Sequence, residues 1–375
     1  MSGFKLQNCR RLVIKVGSSI LIGDDGHVHR GWLEGLADDV AMLHENGHQV
    51  LIVSSGAIAI GSNVLGINKR RARLEDLQAA AAAGQVQLVH AYQEALSRHD
   101  VTAAQVLLTP GDTEDRRRFL NARATLSRLL DLSVVPIINE NDTVATEEIR
   151  YGDNDRLAAR VSQMVMADAL ILLSDVDGLY SEDPAKNDSA ELIPEVQRIT
   201  DEVVRAAGET HSDYGSGGMA TKVQAARIAT RAGCSTVISS GAIDRPLSAL
   251  AAGGTCTVFQ AQGTPTAARK QWLAGVLEVC GELQLDDGAV KALREGNSLL
   301  PVGVAAVTGN FRRGDVVTIV NGHGTELGRG LAEYSSDEAA RIMGCRTEHI
   351  MERLGYRGRS VIVHRDELVL FEDDS

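Results

Sequence analysis

Along the first two thirds of the chain, short unbroken apolar runs alternate with longer stretches whose apolar residues return every three or four positions. RLVIKVG, QVLIVSSG, AAQVLLT, SVVPIIN, ALILLSDVDGLY and STVISSG are strand-like runs without polar alternation. Between them, LEGLADDVAMLHENG places Leu33, Leu36, Val40 and Leu43 at helical spacing, with Gly47 as a stop. LEDLQAAAAAGQVQLVHAYQEALSRH, DRRRFLNARATLSRLL, DRLAARVSQMVMA and MATKVQAARIATRAG continue the scheme. Strands that are apolar throughout, separated by helices, predict a mostly parallel sheet covered by helices on both faces. Ligands of such sheets bind beyond the carboxyl ends of the strands. From Gly281 on, strands shorten and turns become glycine-rich, which predicts a small β-rich barrel of roughly 80 residues with a short helix or two. The boundary is expected between residues 265 and 280, giving domains 1–275 and 276–365.

Composition narrows the function. The 375 residues carry a net charge of −12 and only 3% aromatics, which argues against a general nucleic-acid binder, an anionic-membrane binder or a stacking platform for single strands. The five cysteines are scattered without CxxC spacing, so neither a zinc site nor a disulfide framework is expected, and a reducing cytoplasm fits. No run is apolar and long enough to suggest a membrane span. Residues 281–375 hold eleven Lys and Arg against sixteen Asp and Glu, the wrong sign for a phosphate-binding surface, so RNA is not an expected partner.

Four stretches at strand ends carry candidate chemistry. VIKVGSS sets Lys15 beside a glycine and two hydroxyls, and GSGGMATK sets Thr221 and Lys222 where a glycine-rich loop enters a helix. Both suit a phosphate, through exposed N–H groups and an ammonium. Neither is a Walker A or GxGxxG motif. LLSDVDGLY ends a strand in Ser174-Asp175 and turns through Asp177-Gly178; IVSSGAIAIG joins a strand to a small-residue helix start. A simple turn or a tight strand–helix connection accounts for each alone. The fourth, INENDTVATEEIRYGDNDRLAARV, packs three asparagines and six acids into residues 138–161. A polar loop would use such residues too. Together the four offer what phosphoryl transfer needs, lysines and N–H groups positioned around one site.

On IKVGSS, VSSGAIAIG, RRRFLNARATL, PIINENDTVATEEIRYGDND, SDVDGLYSEDP and GSGGMATK, the sequence resembles the amino acid kinase family over nearly its whole length, with a C-terminal part similar to a PUA domain (NSLLPVGVAAVTGNFRRGDVV). The resemblance implies an α/β sandwich around a largely parallel eight-stranded sheet. It implies a cytoplasmic kinase that moves the γ-phosphoryl of ATP, with Mg2+, to the side-chain carboxylate of L-glutamate for proline biosynthesis. It also implies feedback inhibition by L-proline and a homo-oligomer, dimer or tetramer. Carried over residue by residue, Lys15 and Lys222 flank the transferred group and Asp155 holds the two lysines. Ser174, Asp175 and the run Ser216, Gly217, Gly218, Met219, Ala220, Thr221 and Lys222 bind ATP. Ser55, Asp142 and Asn154 bind the acceptor, with Asp153 close by. Arg150 stands where related chains often carry lysine, which changes shape and reach. A zwitterionic acceptor explains the mixed polar stretch: its ammonium needs carboxylates and amide oxygens, its carboxylates need donors. The rival readings are acetylglutamate kinase, aspartokinase or an RNA-binding PUA protein. Aspartokinase is expected to carry ACT domains instead of a PUA-like tail, and the acceptor of acetylglutamate kinase has no free ammonium.

Overall fold

The computed structural model describes residues 4–69, 71–144, 154–208, 218–274 and 279–371, with the side chains of 272 and 274 left aside. The chain divides into two compact units, Met1–Pro265 and Thr266–Ser375.

The first unit is built on β1 (Arg11–Val16), β2 (Gln49–Val53), β3 (Ala103–Leu108), β4 (Val135–Glu140), β5 (Ala169–Ser174), the short hairpin β6 (Leu179–Tyr180) and β7 (Leu192–Ile193), β8 (Glu195–Val196), β9 (Ser235–Ser240) and β10 (Cys256–Phe259). Eight of these form one sheet in the order β3-β4-β2-β1-β5-β9-β10-β8. All pairs are parallel except β9 with β10. β1 lies between β2 and β5, so strand order reverses at its carboxyl end, the position where an open α/β sheet leaves a crevice. The run ALILLSDVDGLY ends its strand at Ser174, and Gly178 then turns the chain where a Cβ would strike Leu192 and Thr257.

The period of two along β1 divides the core. Leu12, Ile14 and Val16 face Trp32, Leu36, Leu88 and Tyr92 in one layer, while Val13 faces Ala158, Val161, Met164 and Val223 in the other. Lys15 therefore falls on the second face, under the helices Asn154–Val165 and Met219–Arg231. On the first face, helix Ala57–Leu65 packs on helix Leu74–Ser97 through Gly61 and Gly84. A Cβ at Gly61 would overlap the carbonyl of Ala80, and one at Gly84 that of Ala57, so the helices meet backbone to backbone.

The second unit carries the five-stranded sheet of β11 (Gly281–Leu285), β12 (Val304–Gly309), β13 (Val316–Val320), β14 (Glu326–Leu331) and β15 (Leu368–Leu370), ordered β12-β11-β13-β14-β15. Only the β11–β13 pair is parallel. Leu283, Leu285, Phe311, Ile319, Tyr334 and Ile362 form its separate core. The division before Thr266 gives this unit most of helix Pro265–Ala274, where Arg269 pairs with buried Glu367 at 2.5 Å.

Candidate active site

Five strand ends converge. β1 carries Lys15 just before its last residue, β2 runs into Ser54 and Ser55, β4 ends in Asn139 and Glu140, β5 ends in Ser174, and β9 ends in Ser239 and Ser240. Two helix N-termini meet them: Asn154 and Asp155 open helix Asn154–Val165, and Met219 to Lys222 form the first turn of the other, behind Gly218. No side chain caps the helix at Gly218. Both termini bring the positive ends of their helix dipoles here.

Asp155 is wholly buried and ties the elements together. Its Oδ1 lies 2.7 Å from Lys15 Nζ and its Oδ2 lies 3.4 Å from Lys222 Nζ and 3.0 Å from Thr221 Oγ1. Burial alone would push the carboxyl upward, but the two ammonium groups and the Lys15 and Thr221 hydrogen bonds win and hold it below the ordinary value. It is thus an anion with no proton to exchange near neutral pH. Two ammonium groups are thus gathered on one buried carboxylate at the strand ends.

A second network orders the neighbouring wall. Asn154 Nδ2 reaches Ser54 O at 2.5 Å, Ser55 Oγ at 2.9 Å and Asn139 Oδ1 at 2.9 Å. Asn139 in turn donates to Gln85 Oε1 at 2.8 Å, which links the wall to helix Leu74–Ser97. Gly56, with φ 101°, gives helix Ala57–Leu65 its left-handed entry, and a Cβ there would meet Ile22.

These groups border two cavities. One, of about 530 Å³, is lined by Lys15, Lys222, Ser55, Asn154, Asn139, Glu140, Asp142 and Lys69, and by Gly17 to Ser19. The other, of about 950 Å³, runs from Asp175 through Tyr180 to Lys186, and includes Arg205, Gly208, Ser239 and Ser240. Asp175, Val176 and Met219 line both. Ser174 donates to Asp175 Oδ1 at 2.8 Å and lines the smaller cavity. Asp142 follows β4 in a short 3-10 turn, and burial raises its carboxyl to about 6.

Of the residues expected from sequence, Lys15, Lys222, Ser55, Asp142, Asn154, Ser174, Asp175, Gly218 and Met219 come together around the smaller cavity. Asp155 lies behind the lysines, and Thr221 turns its hydroxyl toward Asp155. Ala220 is in the same helical turn but lines neither cavity. Asp153, Ser216, Gly217 and Arg150 lie outside the described residues. Sequence reasoning missed Lys69, Lys186 and Arg205, which carry no local signature. Among the described residues no cluster of three His, Cys, Asp or Glu could hold a metal ion, and no helix is long and apolar enough to cross a membrane.

The chain belongs to the amino acid kinase family: that family's profile, described as "Amino acid kinase family", matches residues 10–240, and the PUA domain profile matches residues 281–354. Within that class its similarity is to proteins named glutamate 5-kinase. It is 53% identical over 366 residues to the glutamate 5-kinase of Paramagnetospirillum magneticum (97% of this chain, 99% of that protein). To that of Rhodopseudomonas palustris strain BisB5 it is 54% identical over 368 residues (98% of each). The glutamate 5-kinase of Bradyrhizobium diazoefficiens is 51% identical over 371 residues (99% of this chain, all of that protein).

Proposed function

We propose that this protein is a glutamate 5-kinase, which transfers the γ-phosphoryl group of ATP to the γ-carboxylate of L-glutamate and yields L-glutamyl 5-phosphate, the first step of proline biosynthesis. One observation carries the reading. The cavity holding both lysines is also lined by an amide, a hydroxyl and carboxylates at Asn154, Ser55, Asp142 and Glu140. That mixture suits an acceptor bearing an ammonium and two carboxylates. The name carried by the relatives identifies the acceptor.

In this reading the larger cavity takes the nucleotide and the smaller one takes glutamate. Asp175 and Met219 stand at the junction. The γ-carboxylate is ionised at neutral pH, so it needs no general base. One of its oxygens forms a bond to the γ-phosphorus as the bond from that phosphorus to the β–γ bridging oxygen breaks, and ADP leaves. Lys15 and Lys222 stabilise the charge on the moving group, and Asp155 keeps the two ammonium groups apart and aimed. Bound with the nucleotide, Mg2+ would supply charge neutralisation on the phosphate oxygens.

Proline carries the ammonium and α-carboxylate of glutamate without a γ-carboxylate, so it inhibits by competing in the smaller cavity. The reaction belongs to residues 1–275; residues 276–365 are a separate structural or regulatory domain with no RNA partner. The enzyme works in the cytoplasm as a homo-oligomer, dimer or tetramer. An ATP-dependent hydroxamate assay tests the reading, with glutamate, N-acetylglutamate and aspartate as acceptors and proline added or withheld. Product with glutamate alone, reduced by proline and restored by more glutamate, is expected. Product with only one of the other two acceptors would overturn it.

A further inference from the structure

The charges along the smaller cavity are unevenly spent. Lys15 and Lys222 are both buried and both bound to Asp155. In the proposed reaction they are committed to the phosphoryl group. The acids Glu140 and Asp142 line the same cavity and suit the ammonium of the acceptor. That leaves the acceptor's α-carboxylate, a full negative charge, without a cation. Among the described lining residues the remaining cation is Lys69. It sits in the connection between helices Ala57–Leu65 and Leu74–Ser97, just after Asn68, whose carbonyl accepts from Arg71 N at 3.0 Å. Among the described residues Lys69 has no hydrogen-bond or ion-pair partner, so its ammonium is available to an incoming anion. Lys69 is exposed at the cavity's edge, and the partial burial of its ammonium there lowers its pKa. The two helices that hold the connection are locked at Gly61 and Gly84, which fixes where it can reach.

Resting on the glutamate-kinase reading above, we propose that Lys69 is a specificity-determining residue that recognises the α-carboxylate of the amino-acid acceptor. The acceptor is then held at both ends by cations, with its ammonium on the acidic side of the cavity. An acceptor without the α-carboxylate charge gains nothing from Lys69, and an acceptor with it is preferred.

The test compares L-glutamate with L-isoglutamine, which keeps the γ-carboxylate and the ammonium but has a neutral amide in place of the α-carboxylate. Hydroxamate formation is measured with full-length wild type and with Lys69→Met and Lys69→Arg, each checked by a melting curve. In Lys69→Met the KM for glutamate is expected to rise about tenfold, the worth of one charge-assisted hydrogen bond at a partly exposed site. The KM for ATP and kcat should stay close to wild type. The constants for isoglutamine should not move, so the preference for glutamate narrows by the same factor. Lys69→Arg should restore most of it. A preference unchanged in Lys69→Met overturns the assignment, as does a loss that appears equally with isoglutamine or in the KM for ATP. Wild type inactive on glutamate would instead remove the reading on which the assignment stands.

Discussion

Asp155 in the N-terminal domain and Glu333 in the C-terminal domain are both buried acids with two cationic partners. Glu333 pairs with Arg313 at 3.3 Å and Arg359 at 3.0 Å, and those arginine side chains are 29% and 39% exposed. The lysines on Asp155 are 7% and 4% exposed and line a cavity. The arginines keep their heads near water and brace the surface of a small sheet, where exposed pairs contribute little. The lysines have lost most of their water and share one buried carboxylate, whose attraction offsets part of that desolvation cost. A compact ammonium on a flexible stem can also follow a moving phosphoryl group, which a planar guanidinium does less readily. Residue type, burial and what lies beyond the pair separate a brace from a candidate reaction centre; the bare ion-pair distances do not.

The sharpest way to break this contrast is Lys222→Ala. Loss of one donor aimed at developing charge is expected to lower kcat about 100- to 1,000-fold with much smaller changes in either KM. Near-normal turnover in steady-state assays would place Lys222 with the braces.

Asn154→Ala probes the wall beside the lysines. Its amide holds Ser55 and Asn139 in place, so the KM for glutamate should rise about 10- to 150-fold while that for ATP stays nearly constant. A parallel rise in both constants with a lowered melting point would reduce Asn154 to a structural link.

Asp142 supplies a pH test. With its carboxyl raised by burial to about 6, it is ionised above that pH and neutral below. For glutamate, kcat/KM should fall up to about tenfold per pH unit below pH 6, as an acidic partner of the ammonium is lost. Asp142→Asn should flatten that limb at a lower plateau. The stability sign is opposite: a carboxyl raised above its unfolded value of 3.8 contributes fully below that value and loses its contribution as pH rises through about 6. The melting-point gain of Asp142→Asn should therefore be larger at pH 8 than at pH 4.

The smallest effect is expected at the brace. Glu333→Gln should destabilise the C-terminal domain by about 1–2 kcal/mol, given how far its arginines reach into water, and leave kcat and both KM values unchanged. A fall in turnover would show that the two domains do not differ in the way described.

Much of the candidate site was legible because it obeys local rules. Lys15 interrupts an apolar run at a position where the strand period points it under a helix, and Lys222 follows a glycine-rich helix start. The parallel sheet was legible for the same reason, since apolar runs between helices have few other ways to bury both faces. The reversal of β10 against β9 was not, because the direction of a short strand leaves no mark on its composition. Asp155 was reached through family resemblance; its residue pattern shows an acid at a helix start and nothing of the two lysines folded onto it. Lys69 lies in a basic stretch resembling any solvated turn, and only folding brings it to the cavity. The Glu333 brace joins residues from separate elements, each unremarkable alone.

The seam between Gly61 and Gly84 bears on how this sequence can drift. A single methyl at either position would collide with a carbonyl oxygen, and no rotamer change relieves a clash with backbone. Helix Leu74–Ser97 also carries Gln85, one step along the chain from the seam, and Gln85 holds Asn139 in the wall. Alanine at Gly84 would therefore push the wall as well as the helix. Mutational libraries should recover wide variation on the outer faces of both helices and a pair of positions fixed as glycine between them.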